Sequence, residues 1–261
     1  RPLPLECADA SYQVQQPAFL TGDLSVGQLR SLSLVLWGAG TLIAGNYSVA
    51  GADESRRVDT ALVLAVDVSE SVTAERYSLQ MQGIATAFRD RLLQDTILAS
   101  PHKAMLVALI EWSSKPFISI PWTLVDSRAD ANGFADMVVA IPRAAVRLKF
   151  TCLSLALRSI NDELLPLLPL AADRTVIDVS GDGTDNCDGD LSVDAVRDDL
   201  VAHGTTINGL PVLEGDEAWR LEDWYRRHVI GGRSALLVPA HGYQDIQRAI
   251  LQKFLTEISG N

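Results

Sequence analysis

The chain has 261 residues, 48% of them hydrophobic and 21% charged, and a formal net charge of −11 at pH 7. This composition fits an ordinary globular protein with one sizeable core. The acidic balance, with no basic run anywhere, argues against a groove for nucleic-acid phosphates, which needs clustered Lys and Arg.

Residues 1 to 52 read apart from that core. Arg30 precedes the apolar stretch Leu32 to Ala44, which is too short for a comfortable membrane span. Asn46 to Ala52 follows and ends in an Ala-x-Ala pattern, Ala50-Gly51-Ala52. A positive residue, a short apolar region and that ending describe a secretory signal peptide, with cleavage expected after Ala52. The expected mature chain is then residues 53 to 261, periplasmic or secreted. The segment before the signal reads as an upstream read-through, with Leu24 or Val26 marking a start without Met. Left uncleaved, the stretch would tether the domain to a membrane. Gly38-Ala39-Gly40 imitates a dinucleotide fingerprint, but its third glycine falls at Ile43, and a lone Gly-x-Gly is weak evidence.

The apolar run Ala61 to Val66 reads as a buried strand of a parallel sheet. It delivers Asp67-Val68-Ser69-Glu70-Ser71 to its carboxyl end, where open α/β sheets place their ligands. Alternate residues of an extended segment point the same way, so Asp67, Ser69 and Ser71 converge. All three offer oxygen, which points to a hard divalent cation. Thr73 is a plausible N-cap, and Tyr77, Met81, Ile84, Phe88 and Leu92 recur at helical spacing. Ala104 to Trp112 and Phe117 to Ile120 read as strands whose short link, Ser113 to Pro116, suits antiparallel pairing. Glu111 and Trp112 close the second strand, the Trp packing on the rim of the core. Helices are expected over 127 to 141 and 152 to 164, the second stopped by Pro166 and Pro169, with Thr151 offering a hydroxyl at its start.

Arg174 to Ser180 reads as a second buried strand and runs into Gly181-Asp182-Gly183, where glycine allows a tight turn and close backbone approach. Ser192 caps a helix to about His203, and Thr206 to Val212 is a strand. A helix near Asp216 to His228, a strand Ser234 to Val238 and a closing amphipathic helix marked by Tyr243, Ile246, Ile250, Phe254 and Ile258 complete the series. The alternation predicts an α/β fold in one domain over 53 to 261. It is doubly wound around a mostly parallel central sheet, with helices on both faces and one antiparallel edge strand.

Asp-x-Ser-x-Ser, then Thr151, then Gly-Asp-Gly after a strand resembles, in that order, the von Willebrand factor A domain, over roughly residues 58 to 258. Glu111-Trp112-Ser113 together with Ile177 to Gly183 is similar, more narrowly, to secreted bacterial A-type domains of uncharacterised role. The resemblance implies a Rossmann-like fold and a metal-ion-dependent adhesion site. In that site Ser69, Ser71 and Thr151 contact the ion directly, and Asp67 and Asp182 hold it directly or through waters. Mg²⁺ or Mn²⁺ is implied, with Ca²⁺ less favoured. Neutral hydroxyls leave the ion's charge uncompensated, so an open position attracts the Asp or Glu of a protein partner. The expectation is a monomeric binding module and not an enzyme. One departure stands out: Lys149 and Phe150 precede Thr151 where such domains carry small residues, so bulk could shift the loop, or Lys149 compete with the cation.

Removing the leader removes Cys7 and leaves Cys152 and Cys187, which are either a disulfide between two metal loops or two free thiols. Asp185, Asn186, Asp188 and Asp190 read as a solvated loop, since the place of an EF-hand's bidentate Glu is Ala195. His102, His203, His228 and His241 show no paired ligand spacing. No Gly-x-Ser-x-Gly elbow, P-loop or His-Glu-x-x-His occurs, and Glu70 and Asp178 are the obvious local bases for a hydrolase. Two alternatives therefore stand beside the binder: an envelope module whose metal only stabilises loops, and a metal-dependent hydrolase.

Overall fold

The computed structural model describes residues 56–143, 149–187, 189–216 and 218–259. The leader, its cleavage site, Cys7, the Gly38-x-Gly40 decoy and Asp188 lie outside the described residues. Five strands form one sheet: β1 (Arg57–Asp67), β2 (Met105–Trp112), β3 (Pro116–Val125), β4 (Ala171–Gly181) and β5 (Thr205–Pro211), in the order β3-β2-β1-β4-β5. All neighbours are parallel except β2 and β3, whose short link cannot make a crossover. β1 is central and buried from Val58 to Asp67, as its unbroken apolar run requires.

The two faces of β1 are divided by residue parity. Leu62, Leu64 and Val66 pack under α1 (Ala74–Arg89), α2 (Arg91–Ala99), α3 (Arg128–Ala140) and α7 (Ile246–Ser259). Val63 and Ala65 pack on the other face against α4 (Leu153–Ser159), α5 (Val193–Ala202) and Tyr225, which follows α6 (Ala218–Trp224). This is a doubly wound α/β fold with one antiparallel edge strand. Among the described residues, no helix is long and apolar enough to cross a membrane.

Local chemistry sets the helix ends. The hydroxyls of Thr73, Ser127 and Ser192 each accept a backbone N–H of the first turn, which caps α1, α3 and α5. The periodicity through Leu92 does not belong to one helix. Asp90 is extended, ends α1, and accepts the N–H groups of Leu92 and Leu93 to start α2, leaving Leu92 61% exposed. The helix expected over 152 to 164 is α-helical to Ser159, widens to a π turn at Ile160–Leu164, and tightens to 3₁₀ at Leu165–Leu167 around Pro166.

The expected strand 234–238 is a correction. Gly232 and Ser234 have positive φ, +91° and 57°, and Pro239 has no N–H to give. What remains beside β5 is a set of single pairings, with Gly209 N donating to Leu236 O at 2.9 Å and Val238 N to Gly209 O at 3.0 Å.

A buried polar cluster fastens α7 to the sheet. The ammonium of Lys253, 1% exposed, pairs with Asp178 of β4 and with Glu257 at 2.9 Å. Asn208 of β5 donates to Glu257 at 2.6 Å and to Asp178 at 3.3 Å. Burial, with Asp178 adding like charge, pushes the Glu257 carboxyl up to about 8.

Candidate metal centre

Because β1 and β4 are parallel neighbours, their carboxyl ends lie side by side at one pole of the sheet. Asp67 ends β1 and is fully buried. The chain then turns back on its carboxylate, with Ser69 N donating to Asp67 Oδ1 at 2.7 Å. That turn brings Ser69 Oγ to 3.2 Å from Ser71 Oγ, and Ser71 Oγ donates to Asp182 Oδ1 at 2.6 Å. Gly183 adjoins Thr151: a Cβ built there would stand 3.5 Å from Thr151 Oγ1. The structure thus brings Asp67, Ser69, Ser71, Thr151 and Asp182 together at one pole.

Two features make this cluster fit a divalent cation. The donors are three hydroxyls and two carboxylates, a hard-oxygen set. Asp67 Oδ2 is buried and has no hydrogen-bond partner among the described residues, which is costly for a carboxylate. Burial accordingly pushes the Asp67 carboxyl up to about 7, and the nearby Asp182 adds to the rise.

Four residues at the pole escape a reading by motif. Gln80 Nε2 donates to Asp67 O at 3.1 Å. Arg76 Nη1 donates to Ser71 O at 3.0 Å and to Asp182 Oδ2 at 3.3 Å, while Nη2 pairs with Glu214. Tyr243 Oη donates to Asp182 Oδ2 at 3.0 Å, and the Arg76 guanidinium lies 5.0 Å from the Tyr243 ring centroid. Tyr225 reaches the same pole from beneath. Arg76 and Gln80 are four apart in α1 and so share a face with the cap at Thr73, a signal the sequence carries. Tyr243 sits in an apolar stripe that hides its hydroxyl.

Lys149 and Phe150 lie at the surface beside Thr151. Both side chains are exposed, the Lys149 ammonium lying 5.7 Å from the Phe150 ring centroid, while Thr151 stays buried. The cation nearest Asp182 is Arg76, not Lys149. The loop is held from the other side: Thr151 N donates to Asn186 Oδ1 at 2.7 Å and Asn186 N to Thr151 O at 3.0 Å. Asp185 Oδ1 accepts Ser154 N at 3.0 Å in the first turn of α4. Cys152 and Cys187 form a disulfide, with Cα atoms 5.1 Å apart. Asp185 and Asn186 therefore also clamp the Thr151 loop, which their reading as a solvated loop does not include, while Asn186 and Asp190 remain exposed.

Other candidates resolve by location. Trp112 is fully buried inside the core, not on its rim, and Glu111 accepts the Ser119 hydroxyl. Asp178 is spent on Lys253 and Asn208, so it is not free to act as a base, and Glu70 is exposed. At the opposite pole, ligand atoms of Asp59, His102 and Asp173 lie within 4.8 Å of one another, a second candidate ligand set that spacing could not reveal. Asp59 there accepts Ser100 Oγ and the N–H groups of His102 and Ala104, and Asp173 holds Arg57 and His102 Nε2.

Residues 57–261 match the profile of the family described as "Protein of unknown function (DUF1194)", and the chain belongs to that family. No curated protein matches it. Among solved structures it is similar to proximal thread matrix protein 1 of the mussel byssus, at 13% identity and a TM-score of 0.57, over 77% of this chain and 46% of that one. A second structure of that mussel protein, TM-score 0.53 at 13% identity over the same shares of the two chains, carries a zinc-occupied MIDAS motif. It is also similar to a von Willebrand factor type A protein of Catenulispora acidiphila, at 14% identity and a TM-score of 0.54, over 77% and 43% of the chains. The vWF domain of the pilus tip protein Mfa5 of Porphyromonas gingivalis matches at 10% identity and a TM-score of 0.54, over 78% and 96%. This chain spans less than half of the mussel and Catenulispora proteins it matches. At these identities the likeness shows a fold, and it is the von Willebrand factor A-type fold.

Proposed function

We propose that this family member is a metal-ion-dependent binding module that engages a protein partner through an Asp or Glu carboxylate. One observation carries the reading: Asp67, Ser69, Ser71, Thr151 and Asp182 converge at one pole, and the buried Asp67 Oδ2 has no partner among the described residues. Three of the five donors are neutral, so an ion held there keeps most of its charge and an open position for an external anion. Mg²⁺ or Mn²⁺ suits this oxygen set; Ca²⁺, which takes more ligands, suits it less. Ser69, Ser71 and Thr151 would contact the ion, with Asp67 and Asp182 holding it directly or through waters. The pilus and matrix proteins of the same fold support a binding role outside the cell.

In this reading residues 1 to 52 are a leader removed after Ala52, and residues 53 to 261 are the exported, monomeric domain. The Cys152–Cys187 disulfide supports an oxidising compartment. The test is capture of a peptide bearing one accessible Asp, with the Asn version as control. Capture should require Mg²⁺ or Mn²⁺, reverse with chelator, and fail for Asp182→Ala. Binding of the Asp and Asn peptides alike, or capture indifferent to chelator, would sink the proposal.

A further inference from the structure

Tyr225 opens the π turn Tyr225–Val229 at the end of α6 and is fully buried, and its hydroxyl has no hydrogen-bond partner among the described residues. A buried phenol usually finds a partner, and an unmet hydroxyl is costly. The ring lies beneath the ends of β4 and β5, in room left by two glycines. A Cβ built on Gly209 would stand 2.9 Å from Tyr225 Cδ1. One built on Gly181 would stand 2.8 Å from Tyr225 Oη and 2.9 Å from Asp67 Oδ2. These two unpartnered buried oxygens therefore face the same spot, and only glycine at 181 leaves it open. One is a donor and the other an acceptor, so they are chemically complementary.

We infer that Tyr225 is a positioning residue of the metal centre, its hydroxyl donating to Asp67 Oδ2 through one water and so fixing the carboxylate that faces the ion. This rests on the metal reading above. Asp67 Oδ1 is already fixed by Ser69 N at 2.7 Å, so a donor on Oδ2 removes the carboxylate's remaining freedom. Partners of this kind, one step removed from the ion, typically change metal affinity 10–100-fold when lost. π turns occur often at functional sites, and this one aims Tyr225 at the pole from the face opposite α1.

The test compares wild type and Tyr225→Phe in the full chain by Mn²⁺ calorimetry and by melting in chelator. The variant should bind Mn²⁺ about tenfold or more weakly. Its melting temperature in chelator should fall by only about 2–4 °C, since Asp67 Oδ2 loses one donor. A merely structural tyrosine would lower the melting temperature and leave the affinity unchanged. Equal Mn²⁺ affinity, or a variant that fails to fold in chelator, overturns the inference. In a Gly181→Ala background, where the new methyl occupies the shared spot, Tyr225→Phe should cost much less affinity; an undiminished loss there would also overturn it. If wild type itself takes up no Mn²⁺, it is the metal reading that fails.

Discussion

Asp67→Asn should stabilise the metal-free protein and abolish its response to metal. The substitution keeps shape and removes charge from a side chain with no exposed surface. Burial raises the Asp67 carboxyl from 3.8 to about 7. A raised carboxyl costs nothing below pH 3.8, where both states are protonated, and stability then falls as the pH climbs towards the folded value. A shift of about three units at 1.36 kcal/mol each gives a penalty of about 4 kcal/mol at pH 8, an upper figure because local opening and water relieve it. Asparagine is spared this, and its amide can donate to Tyr225 Oη. Urea melts in chelator from pH 5 to 9 should therefore show Asp67→Asn gaining on wild type as the pH rises, by about 1–4 kcal/mol at pH 8. With Mg²⁺ at a hundredfold its dissociation constant, wild type should gain about 2.7 kcal/mol and the variant nothing. A variant less stable than wild type at pH 8 in chelator, or equally responsive to Mg²⁺, would refute the reasoning.

Arg76→Ala removes the guanidinium resting on Asp182, so Mn²⁺ affinity should rise about two- to fivefold by calorimetry, the salt-screened value of a partly exposed charge; an unchanged affinity would show that Arg76 does not compete. Reducing the Cys152–Cys187 bond, which spans 35 residues, should cost about 4 kcal/mol by the chain-entropy estimate and also weaken Mn²⁺ binding, since the bond adjoins Thr151. Stability lost with affinity intact would mean the clamp of Asp185 and Asn186 is sufficient to hold the loop. Lys253→Met leaves Asp178 and Glu257 buried without their cation and should cost about 3–5 kcal/mol at pH 8 in urea melts. The loss should shrink at pH 5: the Glu257 carboxyl is raised from 4.5 to about 8, so its cost to stability is absent below 4.5 and grows as the pH rises towards about 8.

Much of this architecture is written in local patterns. The unbroken apolar run of β1 and the parity of its residues fix a sheet buried on both faces, and the capping hydroxyls of Thr73, Ser127 and Ser192 mark where helices begin. Asp67, Ser69, Ser71 and Asp182 are legible because strand ends and alternation aim short side chains at a common place, whereas Thr151, just before a helix, joins the set only through the family resemblance. The rest depends on contacts between distant segments. Nothing in the spacing of Asn186 and Thr151 announces their paired hydrogen bonds, and Asp185 reads as solvated because its partner, Ser154 N, is an unsatisfied helix end on another segment. Tyr225 is invisible for the same reason, since its meaning lies in the absent side chain of Gly181. The strand expected at 234–238 failed on backbone grounds, two positive φ angles and a proline, which apolar content does not report.

The most direct test counts manganese ions. Titrating the metal-free full chain with Mn²⁺ under electron paramagnetic resonance should give one bound ion, lost in Asp182→Ala and kept in His102→Ala. Binding that survives Asp182→Ala but disappears with His102→Ala would place the metal at the far pole, with Asp59 and Asp173, and contradict the account.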